Sequence, residues 1–130
     1  MASPEAVLLV EDEELVRTTV ARVLTAIGAP TTAVASAEEG LAVLGAGEVG
    51  FRAVMMDVRL PGLSGAKAAE RIREIAPALP IVLMSGRMNE ETEAALRLPG
   101  VHYLQKPFGM EKLAAALDRA APVERKPPEK

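Results

Sequence analysis

Ala53-Val54-Met55-Met56-Asp57-Val58-Arg59-Leu60-Pro61-Gly62 opens with four apolar residues, sets a carboxylate in fifth place, and then turns. A short continuous apolar run closed by turn residues reads as a strand buried on both faces, the habit of parallel sheets. In open α/β sheets ligands bind in the crevice beyond the carboxyl ends of the strands, so Asp57 stands where such a fold does its chemistry. Taken alone, Asp57 is also an ordinary turn former. The rest of the chain decides between the two.

Upstream, Ala6–Val10 is a second apolar run, and it too ends in acid, at Glu11-Asp12-Glu13-Glu14. Glu13 and Glu14 suit the start of a helix, where carboxylates meet the positive end of the dipole. Val16, Val20, Val23, Leu24 and Ile27 follow at helical spacing, with Arg17 and Arg22 between them, and Gly28 stops the helix. Thr31–Ala35 is a β-branched strand. Ser36-Ala37-Glu38-Glu39 has the capping-box pattern and opens a helix to Leu44. Gly45-Ala46-Gly47 breaks it, and 48–52 connects to the central strand.

Downstream, Val58–Ser64 is a loop in which Gly62 and Gly65 allow tight turning. A helix over about 66–75 sets Ala68, Ala69, Ile72 and Ile75 on its buried side and Lys67, Glu70, Arg71, Arg73 and Glu74 on the other, and Pro77 ends it. Ile81–Met84 is a buried strand that stops at Ser85-Gly86. Residues 89–98 permit a helix with poor apolar patterning, closed by Pro99-Gly100. Val101–Gln105 is the last strand, ending at Lys106-Pro107-Phe108. Met110, Leu113, Ala116, Leu117 and Ala120 form a final amphipathic helix, and the charged, Pro-rich 122–130 reads as a flexible tail or linker stub. Met55, Met56 and Met84 read as core filler, and His102 as a surface residue.

Five strands alternating with five helices mean a parallel sheet with right-handed crossovers. A length of 130 residues fits one domain. Aromatics make up only 2% of the chain, so the core must be aliphatic. The absence of Cys excludes disulfides, thiolate metal sites and Cys nucleophiles. A net charge of −3 argues against direct nucleic-acid binding. No apolar run has the length of a membrane span, and the N-terminus lacks a positive leader region, so no membrane association and a cytoplasmic location are expected.

Parallel strands bring Glu11-Asp12, Asp57, Ser85 and Lys106 to one edge. Gathered carboxylates must raise a pKa, bind a cation or stay solvated. Hard oxygen donors in this number suit Mg²⁺, which keeps waters and phosphate oxygens as further ligands. A carboxylate, Mg²⁺, a Lys and a hydroxyl together make a phosphoryl-transfer site.

VLLVEDE at 7–13, MMDVRLPGLSG at 55–65, LMSG at 83–86 and YLQKPF at 103–108 carry a resemblance to the receiver domain of two-component response regulators. It covers 6–121. It implies a doubly wound, flavodoxin-like five-stranded sheet of order 2-1-3-4-5 with helices on both faces. It implies Asp57 as phosphoacceptor, with Glu11, Asp12, Asp57 and the backbone carbonyl of Arg59 around Mg²⁺. Ser85 would hydrogen-bond the phosphoryl group and Lys106 would bind it, through a Lys106–Pro107 bond that is typically cis in the family. Tyr103 would be the switch aromatic, paired with Ser85. Arg59 and Arg87 would flank the phosphoryl group and modulate its lifetime. The implied partners are a histidine kinase or phosphotransfer protein and a downstream protein. Such a domain catalyses only its own phosphorylation and dephosphorylation. SGRMNE and PGVHYLQKPF look most like receivers attached to hybrid sensor kinases.

Three other readings compete. A pseudo-receiver would keep the fold and bind partners without phosphorylation; the intact set of Asp57, Asp12, Ser85 and Lys106 argues against it. An aspartyl-nucleophile phosphatase would carry a second Asp two residues after the first, where this chain has Arg59. A flavin-binding relative would want a phosphate-cradling loop where the four acids sit.

Overall fold

The computed structural model describes residues 6–46 and 50–122. Part of the 45–52 break and connection, and the tail from 123 on, lie outside the described residues. Five parallel strands form one sheet in the order β2-β1-β3-β4-β5: β1 (Val7–Val10), β2 (Thr31–Val34), β3 (Ala53–Asp57), β4 (Ile81–Ser85) and β5 (Val101–Gln105). The helices α1 (Glu14–Ala26), α2 (Ala37–Gly45), α3 (Gly65–Ile75), α4 (Glu90–Leu96) and α5 (Met110–Ala120) alternate with them. The doubly wound order is the one the family resemblance implies.

β1, β3 and β4 are buried along their whole length, which is why they read as unbroken apolar runs. Successive residues point to opposite faces. Leu8, Val10, Val54, Met56, Ile81 and Leu83 meet α2, α3 and α4. Val7, Leu9, Met55, Val82 and Met84 meet α1 and α5. Each large side chain buried this way contributes about 1.5–3 kcal/mol. Met55, Met56 and Met84 are core residues, as read from the sequence.

The helix ends follow local chemistry. Ser36 Oγ accepts from the Glu39 amide at 3.1 Å, and Glu39 Oε2 answers at the amide of Ala35, at 2.8 Å, one residue earlier than a capping box requires. Ser64 caps α3 by accepting from the Lys67 amide at 3.2 Å. Arg52, just before β3, ties three parts of the chain. Its amide donates to the Ala6 carbonyl (2.7 Å), its Nε to the Ala121 carbonyl (2.9 Å) and its Nη2 to Asp118 (3.0 Å).

Three expectations need correction. Ile75, placed with the buried side of α3, is 51% exposed. Arg73, placed with the solvent side, instead folds in, and its Nη1 donates to the carbonyls of Ala76 (2.8 Å) and Pro77 (3.1 Å). The last carbonyls of a helix lack intrahelical partners and attract cations, and a nearby Arg outweighs the apolar periodicity there. The 89–98 helix is also shorter than expected, Glu90–Leu96. The residue before a proline is pushed out of the helical region, so Pro99 cuts the helix back and Gly100 completes the turn with φ at +72°.

Candidate functional site

Glu11 follows β1, Asp57 ends β3, Ser85 ends β4 and Lys106 follows β5. The parallel register sets these ends side by side: Val10 pairs with Met56, Asp57 with Met84 and Ser85 with Gln105. Lys106 Nζ reaches across the sheet end to Glu11 Oε1 at 3.0 Å and Asp57 Oδ2 at 3.2 Å. The Lys106–Pro107 bond is cis.

Glu11 is the deepest acid, 1% exposed, with its second oxygen accepting from the Glu13 amide at 3.2 Å. Burial pushes its carboxyl above the ordinary glutamate value; the hydrogen bonds from Lys106 and the Glu13 amide only partly offset this. For Lys106, burial works against the ammonium form, but the Glu11 hydrogen bond and the charges of Asp57 and Glu11 outweigh it. Its pKa therefore lies above the ordinary lysine value. Asp57 is buried, and the amide of Arg59 donates to its Oδ1 at 3.1 Å. Its two oxygens are thus oriented by two different elements.

Asp12 is exposed at the mouth. Glu11, Asp12 and Asp57 each present a carboxylate oxygen, and these lie within 4.8 Å of one another. An all-oxygen, triply anionic donor set at this spacing fits a hard divalent cation such as Mg²⁺.

The Ser85 hydroxyl donates to the Arg87 carbonyl at 2.6 Å and accepts from the Arg87 amide at 3.0 Å. Tyr103 is half-buried, and its hydroxyl donates to the Ser85 carbonyl at 3.0 Å. Arg59 and Arg87 are exposed. With Asp12, Glu13, Asp57, Ser85, Gly86 and Lys106 they line a cleft of about 780 Å³. The edge therefore gathers every candidate site residue except Tyr103, which touches it through Ser85. His102 is half-buried on β5 and does not line the cleft.

Two residues have roles here that the spacing did not reveal. Gly62 does turn the chain, with φ at +76°, but Gly65 serves differently. A Cβ there would stand 2.2 Å from the Asp57 carbonyl oxygen, so Gly65 is what lets α3 start against the end of β3. Arg17, read as part of a helix's polar face, folds back and donates from Nη1 to the carbonyls of Glu11 (2.9 Å) and Asp12 (3.3 Å). The signal for it was a cation in the first turn of a helix, where the dipole disfavours one.

Residues 7–118 match the family model of the response regulator receiver domain. The chain is 33% identical over 126 residues to the transcriptional regulatory protein TcrA of Mycobacterium tuberculosis, covering 93% of this chain and 49% of that protein. It thus spans about half the length of that curated relative. Among solved structures it resembles the receiver domain of NtrX from Brucella abortus (32% identity, TM-score 0.78, covering 88% of this chain and 96% of that one). It also resembles a response regulator receiver protein from Sinorhizobium medicae (30% identity, TM-score 0.80, covering 88% and 92%). The chain belongs to the response regulator receiver family.

Proposed function

We propose that this receiver accepts a phosphoryl group on Asp57 from the phosphohistidine of a histidine kinase or phosphotransfer protein, with Mg²⁺ as cofactor. The observation that carries it is the placing of one buried carboxylate between a lysine and two further acids at the mouth of a cleft. Glu11, Asp12, Asp57 and the Arg59 carbonyl are the groups that would hold the cation. When bound, it supplies positive charge against the carboxylates and the arriving phosphoryl oxygens.

An oxygen of Asp57 attacks phosphorus, the P–N bond to imidazole breaks, and the imidazole keeps the bonding electron pair. The Arg59 amide fixes Asp57 for attack. Lys106, already within hydrogen-bond reach of Asp57, passes to a phosphoryl oxygen as charge arrives. Ser85 exchanges its bond to Arg87 for one to the phosphoryl group, and Tyr103, which hangs on the Ser85 carbonyl, responds. The added 1.5 to 2 negative charges, roughly, bias two pre-existing arrangements of the surface read by a downstream protein. Arg59 and Arg87 flank the phosphoryl group and modulate its lifetime. Catalysis is confined to the domain's own phosphorylation and dephosphorylation, in the cytoplasm.

Incubation with Mg²⁺ and a small-molecule phosphodonor, followed by intact mass, tests this beside Asp57→Asn. A single phosphate that requires Mg²⁺ and is lost in the variant is the expected result. No gain from either that donor or a phosphorylated histidine protein would leave a phosphorylation-independent binding module.

A further inference from the structure

Arg17 is the fourth residue of α1, in a helix whose N-cap Glu13 makes no side-chain cap bond. A cation in the first turn faces the positive end of the helix dipole and is locally unfavourable. It has no carboxylate partner among the described residues. Its Nη1 is instead shared between the carbonyls of Glu11 at 2.9 Å and Asp12 at 3.3 Å. Those are the two residues whose side chains form the acidic mouth with Asp57. The Arg17 amide meanwhile donates to the Glu13 carbonyl at 2.8 Å as part of α1. One residue thus anchors both ends of the short connection from β1 to α1.

We propose that Arg17 is a positioning residue for the cation site: by holding the Glu11 and Asp12 carbonyls it fixes the connection so that their carboxylates converge with Asp57. The proposal rests on the Mg²⁺ reading above. Three neighbouring carboxylates repel one another, and an exposed connection would relax by swinging Asp12 outward. A partner behind the ligands that opposes this acts as outer-shell groups do at metal sites, where its loss typically costs about 10–100-fold in metal affinity. The bonds are to carbonyls, so the hydrogen bonds rather than the charge are the active element.

Calorimetric titration with Mg²⁺ alone tests it on the full chain, comparing wild type with Arg17→Met, Arg17→Gln and Arg17→Lys. Melting in chelator reports folding separately. The expected result is at least tenfold weaker binding for Met, which cannot donate, and binding within about threefold of wild type for Gln and Lys, which can. Binding by Met within twofold of wild type, or tighter, overturns the proposal. So does a Gln variant much weaker than Lys, because charge would then be what matters; this comparison decides even where Met fails to fold. A wild type that binds no Mg²⁺ instead overturns the cation reading itself.

Discussion

The Ser85 side chain and the Arg87 backbone exchange hydrogen bonds in both directions, hydroxyl to carbonyl at 2.6 Å and amide to hydroxyl at 3.0 Å. Ser85 therefore closes the first turn after β4 while standing at the edge of the acidic cleft. Its hydroxyl proton has one place to go at a time, so engaging a phosphoryl oxygen and holding the Arg87 carbonyl are mutually exclusive.

Ser85→Ala removes both bonds. The expected cost is about 1 kcal/mol, read as a lower urea midpoint, with faster amide exchange at 86–88. Phosphorylation of Asp57 should slow while Mg²⁺ affinity stays near wild type, because Ser85 is not among the acids. An unchanged phosphorylation rate would remove Ser85 from the site.

Gly65→Ala places a methyl group 2.2 Å from the Asp57 carbonyl oxygen. Backbone faces backbone there, so α3 must withdraw. Destabilisation by about 1–3 kcal/mol is expected, as for other overpacked positions, together with reduced phosphoryl acceptance, since the loop that carries the Arg59 amide moves with α3. Gly62→Ala, strained by its positive φ, serves as comparison: it should lower the melting temperature with less effect on phosphorylation.

Thr92→Val should stabilise the protein. Thr92 is fully buried on α4, and its Oγ1 has no hydrogen-bond partner among the described residues. Replacing the hydroxyl by a methyl group of similar shape relieves a desolvated polar atom, a gain on the order of 1 kcal/mol in urea unfolding. A loss of stability would mean that the hydroxyl has a partner in solution.

Two groups make stability fall as pH rises, each in its own range, in the metal-free protein. Glu11 has a raised folded pKa, so from the ordinary glutamate range up to that value the native state holds the extra proton and stability falls as pH rises. Lys106 is also raised, so its contribution is complete below the ordinary lysine value and is lost only as pH climbs through the folded one. Melting curves in chelator from acid to alkaline pH should show both declines, and Glu11→Gln should lack the acidic one.

The site was legible because it hangs on strand ends, and strand ends are written in the sequence as an apolar run followed by a polar residue. Asp57, Glu11 and Ser85 all announce themselves this way, and Lys106 does so before a proline. Depth was harder to read. Glu11 and Asp12 are neighbours in sequence, yet one is buried against Lys106 and the other is exposed, because consecutive residues leaving a strand face opposite ways. Arg17 and Arg73 were hidden for a common reason: long side chains fold back to satisfy carbonyls at helix and strand ends, a demand of the backbone that side-chain periodicity does not record. Ile75 was misplaced for the converse reason, since periodicity continues to the last residue of a helix whether or not anything remains to pack against.

Arg52 binds the carbonyls of both Ala6 and Ala121, so the residue before the first strand and the residue after the last helix meet at a single point. That point lies at the start of β3, roughly 17 Å along the strand from Asp57 at 3.3 Å per residue. Ala6 and Ala121 are thus held at the floor of the sheet, while the acidic mouth opens at its roof. The layout separates plumbing from traffic: Ala6 and Ala121 are tied down at one end of β3, and the cleft opens at the other.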